Sequence, residues 1–138
     1  MRLFFLFLFF ACFVNGQEEI LYNWKLLKVA DGDTIEFTVD FLPKELGDKL
    51  SVRIYGVDTP EKGWRAKSEK ENEMGLAASD FTKKQIAAAK NIQVKLIGWD
   101  KYGGRVLGDV LLDGISLKDL LLKNGYAREY YGDKKQDW

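Results

Sequence analysis

The chain has 138 residues, a length that suits one domain. Its 21 basic and 21 acidic residues cancel, so its net charge does not favour a polyanion, and only a local basic groove could bind one. The chain has no histidine and one cysteine, which excludes histidine-based catalytic triads, histidine-ligated zinc and internal disulfide bonds.

The N-terminus begins with one positive charge and continues into an apolar run from Leu3 to Val14. This run is as long as a signal-peptide apolar region and is too short to cross a bilayer. We therefore predict that residues 1–16 form a signal peptide and that residues 17–138 form the mature domain, which would be secreted or periplasmic. Two alternatives remain, which are lipid attachment through Cys12 and a buried N-terminal strand.

The rest of the chain alternates between predicted strands, loops and helices. Apolar alternation predicts five strands, at residues 21–29, 33–39, 50–55, 92–96 and 105–112. Residues 40–49 and the charged segment 62–75 are predicted loops, and residues 76–90 carry the apolar face of a helix. Residues 116–119 form a capping box that begins a short helix, and Gly125 ends it. This order predicts a β-rich α+β fold, a five-stranded Greek-key barrel of the OB type with two or three helices.

Two acidic clusters lie where predicted strands begin or end. They are Asp31-Gly32-Asp33-Thr34 and Asp58-Thr59-Pro60-Glu61. Ca²⁺ takes carboxylate and carbonyl oxygens as ligands, and Asp33, Asp58 and the carbonyl of Thr59 could supply them. The 12-residue helix–loop–helix calcium pattern is absent, and each cluster could instead be only a turn, because aspartate and glycine favour turns.

Basic residues flank these acidic clusters. Arg53 precedes Asp58 by five residues, and strict alternation along a strand places the two side chains on opposite faces. They could converge only if the strand bends or ends near Gly56, and otherwise Arg53 is an exposed strand residue. The third cluster, Asp-Lys-Tyr-Gly-Gly-Arg at 100–105, is either a glycine turn or a place where its arginine contacts a phosphate.

Together these motifs resemble the staphylococcal nuclease family. The similarity covers roughly Leu27 to Tyr131, and its most specific parts are the motifs at 31–34, 53–61 and 100–105, which occur in the family's order. The resemblance implies an OB barrel with helices and Ca²⁺-dependent nuclease activity on DNA and RNA, with unpaired regions favoured. It also implies that Arg53 and Asp58 converge, and we expect a monomer without a stable membrane span.

The resemblance further implies a role for each residue of these motifs. The Ca²⁺ ligands would be Asp33, Asp58 and the carbonyl of Thr59, supported by Asp31. The catalytic side chains would be Glu61, which assists the attacking water, and Arg53 and Arg105, which stabilise the phosphorane-like transition state. The side chains around the nucleotide would be Lys101, Tyr102 and Tyr131.

Several departures from the family pattern bear on this interpretation. An extra glycine precedes Arg105 and could displace it, Asp133 stands where the family has a second nucleotide-site tyrosine, and the loop at 40–49 is longer. The family prototype continues into a third helix beyond the position of Trp138.

Two other functions remain, a non-catalytic nucleic-acid-binding OB module and a secreted Ca²⁺-binding or adhesion module. The five side chains that the resemblance assigns to metal binding and catalysis are all present, and their presence favours the nuclease. They are Asp33, Arg53, Asp58, Glu61 and Arg105.

Overall fold

The computed structural model describes residues 18–138, and the predictions for residues 1–16 and Cys12 lie outside the described residues. The strands are β1 (Leu21–Tyr22), β2 (Lys25–Asp31), β3 (Thr34–Thr38), β4 (Lys49–Ile54), β5 (Val57–Asp58), β6 (Ile92–Trp99), β7 (Val106–Leu112), β8 (Ile115–Ser116) and β9 (Arg128–Glu129). The helices are α1 (Glu69–Ala88) and α2 (Leu117–Lys123), and two short 3₁₀-helices cover Lys44–Leu46 and Gly63–Arg65. Between residues 18 and 138, neither helix is long and apolar enough to cross a membrane.

Most of the strands belong to one mixed sheet. Its order is β1-β6-β7-β4-β3-β2, with β8 paired to β7, and β5 pairs with β9 in a separate two-stranded sheet. The neighbours are antiparallel except β4 and β7, which are parallel. The predicted β-rich α+β fold is confirmed, and each predicted strand is present, the first as β1 and β2 together. Among residues 18–138 the strand pairs form an open path from β1 to β2, without a pair that closes a barrel.

Side-chain alternation along β4 separates the core from the surface that faces the candidate site. Leu50, Val52 and Ile54 are buried, whereas Ser51 and Arg53 between them are half-buried. Burial of one such aliphatic side chain contributes about 1.5–3 kcal/mol. The apolar residues therefore hold β4 in the centre of the sheet and leave Arg53 on the face away from the core.

Helix α1 begins earlier than the sequence predicts. Residues 69–75 are helical, so the predicted loop at 62–75 is wrong over this segment, and the helix ends at Ala88 rather than at residue 90. The side chain of Ser68 caps the helix, because its Oγ accepts a hydrogen bond from the backbone N–H of Glu71 at 3.1 Å. The prediction failed because the first two turns are charged and carry no apolar face.

Helix α2 ends as the sequence predicts. Ser116 caps its start by accepting a hydrogen bond from the N–H of Asp119 at 3.2 Å. Gly125 has a φ of 75°, and its N–H and that of Tyr126 donate to the carbonyls of Leu122 and Leu121. This pair of hydrogen bonds is the Schellman arrangement, which favours glycine at the left-handed position.

Gly75 allows α1 to pass close to the backbone of residues 60–61. A Cβ at position 75 would lie 2.3 Å from the carbonyl oxygen of Glu61 and 2.8 Å from that of Pro60. We expect Gly75→Ala to lower the free energy of unfolding by about 1–3 kcal/mol, because these backbone atoms cannot rotate away. An unstrained helical glycine-to-alanine change instead stabilises by about 0.4–1 kcal/mol.

Thermal and urea unfolding would measure this loss. The matched control is Gly98→Ala, because a Cβ at position 98 would have nothing within 4 Å. A Gly75→Ala variant as stable as the parent would contradict the steric argument.

Candidate active site

A turn between β4 and β5 brings Arg53 and Asp58 together. Gly56 has a φ of 83°, in the left-handed region that favours glycine, and the strand ends just before it. The Nη2 of Arg53 donates to Oδ1 of Asp58 at 3.2 Å and to the carbonyl oxygen of Val57 at 3.4 Å. The strand end near Gly56 therefore supplies the convergence that strict alternation would have prevented.

Asp33 joins the same group from the turn between β2 and β3. Its Oδ2 lies 3.4 Å from Nη1 of Arg53 and accepts a hydrogen bond from the N–H of Thr59 at 3.3 Å. Its other oxygen accepts a hydrogen bond from the hydroxyl of Thr34 at 3.0 Å. Asp33 and Asp58 are 4% and 6% exposed, so one arginine lies between two buried carboxylates.

The electrostatics of Arg53 follow from this position. Burial alone would lower the pKa of Arg53, but the charges of Asp33 and Asp58 and the hydrogen bond to Asp58 outweigh burial and raise that pKa. The guanidinium therefore remains charged at neutral pH. Its five N–H donors exceed what the two carboxylates engage, so it can also bind a phosphate.

Arg105 reaches the same cavity despite the extra glycine. Gly103 and Gly104 have φ values of 71° and 72°, so both residues adopt the left-handed conformation in the turn. Nε of Arg105 donates to Oδ2 of Asp100 in an ion pair. Burial raises the pKa of Asp100, but the hydrogen bond and charge of Arg105 outweigh burial and lower it. Asp100 thus holds Arg105 beside the cavity and leaves donors on its terminal nitrogens.

One cavity of about 590 Å³ gathers nearly all of the residues that the sequence singles out. Those that line it are Asp31, Asp33, Arg53, Thr59, Glu61, Lys101, Tyr102, Arg105 and Tyr131. Asp58 instead lines an adjoining cavity of about 330 Å³, which shares Tyr130, Tyr131 and Lys135 with the first. Residues from separate stretches of the chain therefore share one pocket.

Helix α1 positions Glu61. The backbone N–H of Glu61 donates to Oε1 of the buried Glu71 at 3.4 Å, and Gly75 packs against the Glu61 carbonyl. Its own carboxylate lies 3.5 Å from Nε of Arg65 and 3.5 Å from Nζ of Lys135. Glu61 is therefore held by its backbone while its side chain faces the cavity between two cations.

Sequence reasoning missed these two cations. Nη2 of Arg65 lies 2.6 Å from Oδ2 of Asp31, and Nζ of Lys135 lies 2.7 Å from Oδ1 of Asp58. Arg65 lies in a charged segment in which the sequence does not distinguish it from its charged neighbours. Lys135 follows another lysine near the end of the chain. Neither residue belongs to a sequence motif. Their place in the site becomes visible only from the carboxylates that folding brings next to them.

The acidic residues have the donor chemistry of a site for a hard cation. Asp31, Asp33 and Asp58 offer carboxylate oxygens and Thr59 offers a carbonyl, and Ca²⁺ prefers such oxygens. Oδ1 of Asp31 is buried and accepts no hydrogen bond, and Nζ of Lys62 lies 3.9 Å from it. Within residues 18–138 no group of three or more acidic side chains is arranged to hold a metal ion. The residues present would therefore supply only part of an oxygen shell, and water or a phosphate would supply the rest.

The fold and the cavity define a class of protein. The chain is a small β-rich α+β domain, and at one end of its strands arginines and carboxylates share a cavity, an arrangement suited to binding a phosphate ester. Residues 51–137 match the model of the family described as staphylococcal nuclease homologue. The chain belongs to this nuclease family, as the resemblance of its motifs predicts.

Curated relatives support the family assignment. An uncharacterized protein of Bacillus anthracis is 39% identical over 118 residues, which cover 83% of this chain and 49% of the relative. Endonuclease YncB of Bacillus subtilis (strain 168) is 34% identical over 124 residues, which cover 85% of this chain and 52% of the relative. Endonuclease YhcR of the same strain is 36% identical over 110 residues, which cover 75% of this chain and 8% of the relative. The chain spans about half of the first two relatives and a small part of the third.

Proposed function

We propose that this protein is a secreted or periplasmic Ca²⁺-dependent nuclease that hydrolyses phosphodiester bonds in DNA and RNA. The observation that carries the proposal is Arg53 held between Asp33 and Asp58, in a cavity that Glu61 and Arg105 also line. Membership of the nuclease family and the two relatives named as endonucleases support the same substrate class.

The acidic residues would hold the metal. Asp33, Asp58 and the carbonyl of Thr59 would be its protein ligands, and Asp31 would support them. Bound Ca²⁺ would neutralise the phosphate and hold it against water. The ten proposed site residues carry four acidic and three basic side chains, so without a divalent cation they offer a polyanion no net attraction. Substrate binding should therefore depend on the metal as much as the chemistry does.

The arginines would act on the charge that develops at phosphorus. Attack by water forms a new P–O bond, and the phosphoryl oxygens gain negative charge as the phosphorus becomes five-coordinate. Arg53 and Arg105 would donate hydrogen bonds to these oxygens, and fixed donors aimed at developing charge usually give the largest catalytic contribution. Both arginines are held by carboxylates before substrate arrives, so little reorganisation is needed.

Glu61 would take a proton from the attacking water. This role requires the water to lie within about 3 Å of its carboxylate. The bond to the 5′-oxygen then breaks, that oxygen gains a proton, and a 3′-phosphate end remains, as the resemblance implies. Arg65, whose Nε lies 3.5 Å from Oε2 of Glu61, would help to hold this carboxylate at the cavity.

Aromatic side chains around the cavity support a preference for unpaired nucleotides. Tyr102 is 79% exposed and Tyr131 is 52% exposed, and both line the cavity with Lys101. The ring of Tyr131 packs edge-on against Tyr55, with 5.5 Å between the ring centroids, and its hydroxyl accepts a hydrogen bond from Nζ of Lys118. An exposed ring that is fixed in this way can stack on a base that is not already stacked in a duplex.

Removal of the metal tests the proposal. We expect the protein to nick and degrade plasmid DNA in Ca²⁺, to lose this activity in EDTA, and to regain it when excess Ca²⁺ is added. Asp58→Asn should weaken the response to Ca²⁺, whereas Asp40→Asn, a change at an exposed loop aspartate, should not.

The outcomes separate the candidate functions. Undiminished cleavage in chelator would reject the calcium assignment. Absence of cleavage together with salt-dependent binding of single-stranded DNA would instead identify a non-catalytic nucleic-acid-binding module. Absence of both would leave the secreted calcium-binding module.

A further inference from the structure

A lysine ammonium lies between two acidic groups of the candidate site. Nζ of Lys135 is 2.7 Å from Oδ1 of Asp58 and 3.5 Å from Oε1 of Glu61. The Asp58 side chain is buried, whereas that of Lys135 is 42% exposed, so the pair lies at the mouth of a pocket rather than on open surface. Solvent screens such a pair less than a fully exposed one.

Lys135 occupies an oxygen that the proposed function assigns to the metal. Oδ1 of Asp58 accepts a hydrogen bond from Nη2 of Arg53 at 3.2 Å and forms an ion pair with Nζ of Lys135 at 2.7 Å. A divalent cation that binds this oxygen must therefore displace the ammonium or share the carboxylate with it. A divalent cation beside this oxygen would repel both cationic groups, and the ammonium, on the more exposed side chain, is the group that can leave.

The segment that carries Lys135 can move away at small cost. Residues 132–138 contain no helix or strand, and residues 132–137 are exposed. Asp137 accepts a hydrogen bond from Nζ of Lys67 at 2.5 Å, and its carbonyl accepts one from Arg128 at 2.8 Å. The guanidinium of Arg128 also lies 3.9 Å above the ring of Trp138. Exposed ion pairs of this kind contribute little to stability, because solvent screens them and ordering two long side chains costs entropy.

We propose that Lys135 is an internal competitor of the metal: its ammonium neutralises Asp58 and Glu61 when Ca²⁺ is absent, and Ca²⁺ displaces it. The inference rests on the proposed function, because it takes Asp58 as a calcium ligand. Lys135 then sets the calcium affinity of the site, and binding of the metal releases the segment around residue 135 from the cavity.

Calorimetric titration of the full chain with CaCl₂ tests this inference. We expect Lys135→Met to lower the Kd for Ca²⁺ about 3- to 10-fold, since it removes the competing charge. Lys135→Arg keeps the charge and should bind Ca²⁺ within about twofold of the parent. Lys134→Met, at the neighbouring exposed lysine, removes the same charge without the contact to Asp58 and should also stay within about twofold.

Thermal unfolding gives a second readout that does not depend on activity. Without Ca²⁺ the Lys135→Met variant should melt at a lower temperature than the parent, because Asp58 and Glu61 lose a cation. Saturating Ca²⁺ should then raise its melting temperature by more than it raises that of the parent. Lys135→Gln gives the same comparison with a shorter polar side chain if the methionine variant aggregates.

The results distinguish a failure of this inference from a failure of the proposed function. Parental or weaker Ca²⁺ affinity in Lys135→Met would overturn the role of Lys135 and leave the nuclease proposal intact. Equal tightening in Lys134→Met would also overturn it, because the effect would then come from net charge. If neither the parent nor any variant binds Ca²⁺, both this inference and the calcium part of the proposed function are wrong.

Discussion

Substitution of Arg53 by lysine should lower kcat on the order of 10²–10³-fold while the protein remains folded. The lysine ammonium keeps one positive charge near Asp33 and Asp58, so the buried carboxylates are not left without a cation. It loses the planar fork that can engage two phosphoryl oxygens as they gain charge. Substitution by alanine should lower kcat at least as far and also reduce stability, because it leaves two carboxylates close together.

Single-turnover cleavage of a labelled single-stranded oligonucleotide in saturating Ca²⁺ would measure the effect of the Arg53→Lys substitution on the rate of cleavage. The matched control is Arg128→Lys, since Arg128 lies over Trp138 and does not line the larger cavity. We expect its kcat to stay within about threefold of the parent. Near-normal turnover in Arg53→Lys would show that the guanidinium fork does not stabilise the transition state.

Glu61→Gln is the second substitution for which we expect a large loss. Glutamine keeps the size of the side chain and an oxygen that Arg65 and Lys135 can approach, but it cannot take a proton from water. We expect kcat to fall on the order of 10²–10⁴-fold and KM to change little, as for the loss of a group that acts in the transition state.

The control for this substitution is Glu73→Gln, an exposed position on α1 that removes the same charge. Equal melting temperatures in Ca²⁺ for the parent and both variants would show that the fold is intact. A Glu61→Gln enzyme with normal kcat would reject the role in proton transfer. A Glu61→Gln variant with a raised KM and an unchanged kcat relative to the parent would instead assign Glu61 to substrate binding.

Local sequence patterns predicted the strands and helix ends whose conformation depends on one short segment of the chain. Alternation along residues 50–55 predicted β4 and the burial of Val52 and Ile54, because successive side chains of a strand point to opposite faces. Ser116 and Gly125 predicted both ends of α2, because cap residues act on backbone groups within one turn. The first turns of α1 were missed although Ser68 is a local cap of the same kind, because these turns are charged and their packing against residues 60–61 is a contact between distant segments.

For the candidate site, the motifs predicted the chemistry and the structure determined the geometry. The sequence alone determined which carboxylates and arginines the chain has and the order in which they occur. It also predicted the family, which the comparison confirms. The roles of the individual residues, the signal peptide at residues 1–16 and the calcium dependence stay predictions that the experiments above address.

Only the tertiary structure decided which of these groups meet. Asp33 and Thr59 are separated by 26 positions and Glu61 and Lys135 by 74, yet each pair is in contact. Such contacts depend on the register of paired strands, on the turn at Gly56 and on the close approach of α1 at Gly75. A residue pattern specifies the conformation of its own segment, whereas distances between segments depend on how all of them pack at once. This is why Arg65 and Lys135 carry no signal in the sequence.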